Sequence, residues 1–123
     1  MVFVLIHLDA HKGGNVSQVE TSDVDSQLFS SEDIDSAMKT IIKEFEENWK
    51  GCKLTRLWYA GDETSIQESE ERDVQTIVLL SDFETSKPPA ESALNENHTY
   101  TNWNWILIRS SDGKWVHIDH GYG

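Results

Sequence analysis

The sequence predicts one small domain of the α+β class. Two observations carry this prediction. Residues 31–50 form a strongly amphipathic helical pattern, and short apolar and aromatic runs follow it, ending in a hairpin signal at Ser111–Lys114. A helix followed by consecutive strands, without alternation, favours a helix packed on one face of an antiparallel sheet. With 123 residues, 37% of them apolar, the chain can build a single core.

The helix has signals at both ends. Ser30 is placed as an N-cap, with Asp33 three residues on as its capping-box partner, and Phe29 can close a hydrophobic staple with Ile34. Gly51 is a natural stop after Lys50. Between these ends one apolar stripe follows helical spacing: Ile34, Ala37, Met38, Ile41, Ile42, Phe45 and Trp49.

Residues 12–28 are polar, rich in Gly, Ser and Asp, and aperiodic, which predicts a linker. The predicted organisation is therefore an apolar tag and disordered linker at 1–27, followed by a single domain at 28–123.

After the helix, apolar and aromatic runs predict a curved antiparallel sheet of about four strands: Lys53–Tyr59, Val74–Phe83, Tyr100–Arg109 and Trp115–Asp119. The acidic stretch 65–72 is expected to form a helical turn or two. Residues 84–98, with two adjacent prolines, are expected to be a loop.

The last hairpin gives a register that can be checked. A two-residue turn at Asp112-Gly113 would place Ile108 opposite His117 and Ile106 opposite Asp119. One face would then carry Trp103, Trp105, Leu107, Val116, Ile118 and His120, and we expect this face to pack under the helix. The other face would carry Asn102, Asn104, Ile106, Ile108, His117 and Asp119.

The chain is acidic, with 22 Asp and Glu against 10 Lys and Arg, a net charge of −12. It contains no basic cluster, so the sequence predicts neither nucleic-acid binding nor adhesion to anionic membranes. No apolar run approaches transmembrane length. Residues 1–6 are apolar but short and lack a basic leader, so no signal peptide is expected.

Several segments resemble a known family: 29–35, 49–54, 57–61, 78–83, 100–107 and 119–122. Together they look like an uncharacterised family of small proteins from Gram-positive, often gut-dwelling, bacteria. This family is part of the nuclear-transport-factor-two-like superfamily. The resemblance spans about residues 29–122 and implies a cystatin-like cone, in which one long N-terminal helix packs on a curved sheet.

The resemblance also implies a compartment. Members of the family are often extracytoplasmic lipoproteins, and no catalytic residue is assigned in the family. This chain departs from that pattern at its start, because residues 1–14 contain no lipobox cysteine.

A histidine and a carboxylate near the end of the last strand suggest acid–base chemistry. His117 and Asp119 would share a face in the predicted register, and in the mouth of a cone such a pair can move a proton while the carboxylate orients the ring. The alternative is that both are ordinary strand-end side chains, since Asp119 would then face the apolar Ile106.

The aromatic run around Trp103-Asn104-Trp105 suggests a stacking surface for sugars or aromatic ligands. The candidate ligand-binding residues are Tyr100, Asn102, Asn104 and Tyr122. The alternative is that the alternating tryptophans are simply core residues packed on the helix.

Metal and cofactor signals are weak. His7, Asp9 and His11 alternate, and on an extended segment they could hold a divalent ion; incidental histidines on an N-terminal extension are the alternative. The acidic residues at 62–73 lack the spacing of any calcium loop. Cys52 is the only cysteine and is expected to be a buried, inert thiol. No cofactor is predicted.

The leading hypothesis from the sequence is a non-catalytic accessory domain that binds a small ligand or a protein. An acid–base lyase or isomerase using His117 and Asp119 is the first alternative. A structural module that forms a homodimer through the sheet is the second.

Overall fold

The computed structural model describes residues 13–22 and 25–122, and it confirms the α+β class. Five strands form one mixed sheet in the order β1-β2-β3-β4-β5. The strands are β1 (Glu20–Ser22), β2 (Cys52–Tyr59), β3 (Thr76–Thr85), β4 (Thr99–Arg109) and β5 (Trp115–Gly121). The helices are α1 (Ser31–Asn48) and α2 (Asp62–Arg72), and a 3₁₀ turn covers Ala90–Ser92.

Helix α1 begins where the capping pattern predicts. The Ser30 hydroxyl accepts a hydrogen bond from the Asp33 amide at 3.1 Å, which satisfies one of the free amides of the first turn. The helix then buries Ile34, Ala37, Met38, Ile41 and Phe45. Its apolar stripe therefore packs on the inner face of the sheet, as expected of an amphipathic helix.

The segment predicted as a linker contains a strand. β1 runs parallel to β2, with Thr21 opposite Leu57, and closer to the N-terminus Asn15 bridges to Lys53 through two backbone hydrogen bonds of 2.9 Å. Backbone pairing at a sheet edge needs no apolar side chains, so composition does not reveal such a strand. The sheet therefore has five strands instead of about four.

Gly14 allows this segment to reach the helix. A Cβ atom at Gly14 would lie 2.5 Å from the Phe45 ring, closer than a side chain can approach, and the Gly14 amide donates to the Phe45 carbonyl at 2.9 Å. Gly14 thus has a packing role that the composition of a linker does not suggest.

Helix α2 is longer than the predicted turn or two and closes an open strand edge. β2 ends at Tyr59, so the first residues of β3 have no strand partner on that side. The Ser65 hydroxyl accepts from the Val78 amide at 3.2 Å, and the Ser69 hydroxyl accepts from the Thr76 amide at 2.8 Å. Two serines one helical turn apart therefore accept hydrogen bonds from the backbone amides at this strand edge.

The hairpin between β4 and β5 differs from the predicted register. The Ser110 amide donates to the Lys114 carbonyl, and Gly113 has φ +86°, so the loop has three residues, Ser111–Gly113. Arg109 consequently faces Trp115, Ile108 faces Val116 and Leu107 faces His117. The predicted pairing of Ile108 with His117 was wrong by one residue.

A bulge in β5 then restores the expected register. Ile118 is the extra residue, so Ile106 faces Asp119 and Trp105 faces His120, as predicted. Because a one-residue shift exchanges the two faces of a strand, Trp115 and His117 lie on the inner face. Val116 and Ile118, predicted to pack under the helix, are instead 44% and 41% exposed.

One ion pair joins α1 to the hairpin and gives a pH-dependent prediction. Arg109 donates to both carboxylate oxygens of Asp33 at 3.3 and 3.1 Å, and the Trp115 indole donates to the Asp33 carbonyl. These Arg109 bonds hold the pKa of Asp33 below its usual range. The ionised form therefore stabilises the fold above the unfolded pKa of about 4, and this stabilisation is lost as the pH falls through the lower folded pKa.

We expect Asp33→Asn to lower the free energy of unfolding at pH 7 by about 1 kcal/mol or less, because both partners are partly exposed. At pH 3 the difference from wild type should shrink towards zero. Urea unfolding at the two pH values measures both quantities. Asp35→Asn is the control, since among the described residues the ion pair of Asp35 is with the exposed Lys39. An equal loss for Asp33→Asn at both pH values would contradict the assignment.

Candidate functional site

A cleft of about 520 Å³ opens where the end of α1, the Pro89–Leu94 loop and the ends of β4 and β5 meet. This volume lies within the range of small-molecule sites in proteins. The lining residues are Glu44, Asn48, Trp49, Lys50, Cys52, Pro89, Glu91, Ser92, Leu94, Trp103, His120 and Gly121.

The end of helix α1 places Trp49 in the cleft wall. Trp49 is the C-cap residue, and its amide donates to the Phe45 carbonyl at 3.0 Å. Its ring stacks on Phe45 with centroids 5.4 Å apart. The chain then turns through Gly51, whose φ of +77° favours glycine, so Trp49 is held between helix and sheet.

Three aromatic rings form one side of the cleft. Trp49 and Trp103 meet at an angle of 81° with centroids 6.1 Å apart. The His120 ring lies 5.0 Å from Trp49 and 6.0 Å from Trp103. Rings in this arrangement offer flat apolar surface together with polar edges, a combination suited to small ligands.

Trp103 also carries a buried donor without an acceptor. Its Nε1 atom is buried and has no hydrogen-bond partner among the described residues. Three other tryptophans do have one, because the indoles of Trp49, Trp105 and Trp115 donate to Glu44, Ser81 and Asp33. An unpaired buried N–H costs about 1–3 kcal/mol and is rare in folded proteins.

Two histidines meet at the cleft. The Nδ1 atom of His120 lies 3.2 Å from the Nε2 atom of His117, with the rings inclined by 25°. Burial lowers the pKa of His120 most, and the charge of His117 lowers it further. The carboxylates of Asp119 and Glu44 act in the opposite direction.

The charged groups of the cleft are mostly acidic. Glu44 accepts from the Asn48 amide and the Trp49 indole at 3.0 and 3.3 Å, so its carboxylate is fixed at the cleft wall. Glu91 adds a second carboxylate, and Lys50 is the one cation among the lining residues. Together with the net charge of −12, this arrangement disfavours anionic ligands.

The structure does not bring His117 and Asp119 together. His117 faces Leu107 on the inner side of the sheet, while Asp119 faces Ile106 across the bulge. The Asp119 carboxylate accepts from the His120 amide at 2.9 Å, and the His117 ring contacts the His120 ring. The bulge at Ile118, which no sequence signal marks, separates the two predicted partners.

None of the four predicted ligand-binding residues lines the cleft. Tyr100 is buried, and its hydroxyl accepts from the Asn95 amide. Tyr122 is 62% exposed and packs on Trp103 at 5.2 Å. Asn102 donates its amide to Asp82, and Asn104 lies on the outer face opposite Leu80.

The sequence interpretation missed most of the cleft residues. Trp49 was assigned to the apolar stripe of α1, and Glu44 and Asn48 were not among the predicted site residues. Helical spacing places Glu44 and Asn48 on one face, next to Trp49. That local signal was present, but only the tertiary fold shows that Trp103 meets it.

Metal and thiol chemistry receive no support from the part of the chain that the structure describes. Within residues 13–22 and 25–122, no three His, Cys, Asp or Glu side chains form a group that could hold a metal. His7, Asp9 and His11 lie outside the described residues. Cys52 is buried, and burial raises the pKa of its thiol to about 11, which keeps it protonated at neutral pH.

A second, larger groove of about 850 Å³ lies between residues 13–17 and the loops around Gly51 and Ser86. Its lining consists mainly of glycine, serine and charged residues, and it includes no aromatic ring. It offers neither a stacking surface nor a buried unpaired donor. The aromatic cleft is therefore the better candidate site.

Neither helix that the structure describes is long and apolar enough to cross a membrane. No protein-family model, curated protein or solved structure matches the chain.

Proposed function

We propose that this domain binds a small uncharged ligand in the aromatic cleft, and that the ligand class is a saccharide. The observation that carries the proposal is the buried, unpaired Trp103 indole N–H in the cleft wall. A ligand oxygen that displaces the groups covering this atom and accepts from it would supply the missing partner. We infer no catalytic step.

The remaining lining fits a saccharide. The exposed parts of the Trp49 and Trp103 rings can pack against the apolar C–H face of a sugar ring. Glu44 and Glu91 can accept hydrogen bonds from hydroxyl groups, and the Asn48 amide can also take part. A neutral polyhydroxylated molecule satisfies these groups without bringing a negative charge to an acidic surface.

A saccharide panel tests the proposal. Titration calorimetry at pH 7.5 would measure glucose, galactose, N-acetylglucosamine, maltose and cellobiose against wild type and against Trp49→Ala. We expect at least one saccharide to bind with one-to-one stoichiometry, and Trp49→Ala to weaken that binding. Trp58→Ala is the matched control, because Trp58 lies on β2, two strands away from β4, with Arg56 over its ring at 4.3 Å. No saturable binding across the panel would contradict the proposal.

We further propose the cystatin-like cone as the finer fold assignment. Three features support it: α1 precedes the four long strands, these strands follow one another in a meander, and α1 packs on one face of the sheet. The resemblance of residues 29–122 to the bacterial family supports the same assignment.

Dimerisation through the outer sheet face is the second candidate function. Val116 and Ile118 are 44% and 41% exposed there, next to the half-buried Ile106 and Ile108. Contiguous apolar side chains on a strand surface favour a second copy of the same face. Light scattering on wild type and Ile118→Lys tests this. We expect a dimer mass that the variant reduces to a monomer, and a wild-type monomer at millimolar concentration would contradict it.

A further inference from the structure

The histidine pair at the cleft depends on its protonation state. A neutral imidazole has one donor and one acceptor nitrogen, whereas a protonated imidazole has only donors. The bond of 3.2 Å between His117 and His120 therefore requires at least one neutral ring. When both rings are protonated, two donors and two positive charges face each other at that distance.

The His120 ring is also part of the aromatic wall. Its centroid lies 5.0 Å from Trp49, 5.4 Å from Trp105 and 6.0 Å from Trp103. A movement of this ring therefore changes the surface against which a ligand would pack. The same movement alters the surroundings of the Trp103 indole.

We propose that the His117–His120 pair makes the cleft sensitive to pH, because protonation of the second ring breaks the pair and releases His120 from the tryptophans. The effect on ligand binding depends on the proposed function, while the ring movement itself does not. In mildly acidic solution the cleft then no longer has the aromatic wall that it presents at pH 7.

The charged groups around His120 set where this change occurs. Asp119 on β5 and Glu44 on α1 favour the protonated ring, whereas burial and the charge of His117 disfavour it. Glu91 and Lys50 also line the cleft and carry opposite charges. Burial and His117 prevail, so the pKa of His120 is lowered from its usual value of 6.5. The pair is therefore intact at neutral pH.

A ligand-free NMR titration tests the proposal on the full chain. Side-chain imidazole and indole resonances would be followed from pH 8 to pH 4.5. We expect the indole N–H signals of Trp49 and Trp103 to move together with the imidazole signals of His120, in the step in which that ring is protonated. The indole signal of Trp58, which lies on β2, should not move in that step.

Two reciprocal variants, His117→Asn and His120→Asn, make the test specific. In His117→Asn we expect His120 to titrate in one step at a higher pH than in wild type, since the neighbouring positive charge is gone. In His120→Asn the pH response of the Trp103 indole should disappear. The reciprocal variant keeps the test available should one of the two not fold.

An unchanged His120 titration midpoint in His117→Asn, or indole signals that do not move as His120 is protonated, would overturn the proposal. The titration uses no ligand, so a saccharide panel without binding would leave it standing. Conversely, either of these two results would leave saccharide binding in the cleft untouched.

Discussion

Trp105→Ala is expected to lower the free energy of unfolding by about 3–5 kcal/mol, the range for removing a large aromatic side chain from a core. Trp105 is fully buried. Its ring contacts Trp49 at 5.0 Å and Phe45 at 6.4 Å, and its indole donates to the Ser81 hydroxyl at 2.7 Å. The substitution would leave a cavity and remove that buried hydrogen bond.

Urea unfolding followed by far-UV circular dichroism measures the loss. A domain of this size has a total stability on the order of 5–15 kcal/mol, so the variant should lie close to its unfolding transition. Trp58→Ala is the matched control, because Trp58 is only half-buried and its ring is covered by Arg56. Equal losses for the two variants would contradict the assignment of Trp105 to the centre of the core.

The second large effect concerns Trp103→Phe, which keeps an aromatic ring but replaces the indole by a smaller phenyl ring without the N–H. In the free protein that N–H is buried without a partner, so its loss offsets part of the cost of the smaller ring, and stability should fall less than at a position where the N–H is paired. In the complex it would donate to the ligand, so affinity for the saccharide should fall about tenfold. Calorimetry and urea unfolding on the same variant measure both quantities.

Trp105→Phe makes the comparison sharp, since the same chemical change occurs at a paired donor. Loss of the bond to Ser81 should destabilise the protein by about 1–3 kcal/mol. If Trp103→Phe and Trp105→Phe cost the same stability, the Trp103 donor is already satisfied in the free protein. The main support for a ligand in the cleft would then be gone.

The helix was the most predictable element, because its signals are local. The Ser30 cap and the apolar stripe are properties of adjacent turns, and the structure places the helix start at Ser31. The alternation of Trp103, Trp105 and Leu107 likewise identified the inner face of β4. Such patterns need no knowledge of distant residues.

The failures came from non-local or finely balanced features. β1 pairs through its backbone at a sheet edge, which its polar side chains do not announce. The hairpin loop takes three residues instead of two, with Gly113 but not Asp112 in the left-handed conformation, and this moved His117 to the inner face. The two turn types have similar sequences, so the register was not decidable from Asp112-Gly113 alone.

The cleft could be predicted only in part. The sequence pointed to an aromatic ligand surface around Trp103, and the cleft does contain Trp103. Its other side comes from Glu44, Asn48 and Trp49, more than fifty residues earlier in the chain. No local pattern connects these residues to β4, because their meeting depends on how α1 packs across the sheet.

The most direct test of saccharide binding in the cleft is an NMR titration of the tryptophan indole N–H signals with the tightest-binding saccharide of the panel. We predict that the signals of Trp103 and Trp49 shift and saturate together, with the Trp103 signal moving downfield as its N–H gains an acceptor. The signals of Trp58 and Trp115 should stay in place. If the protein is saturated with the saccharide and the Trp103 signal does not move, the claim that the saccharide binds in this cleft is contradicted.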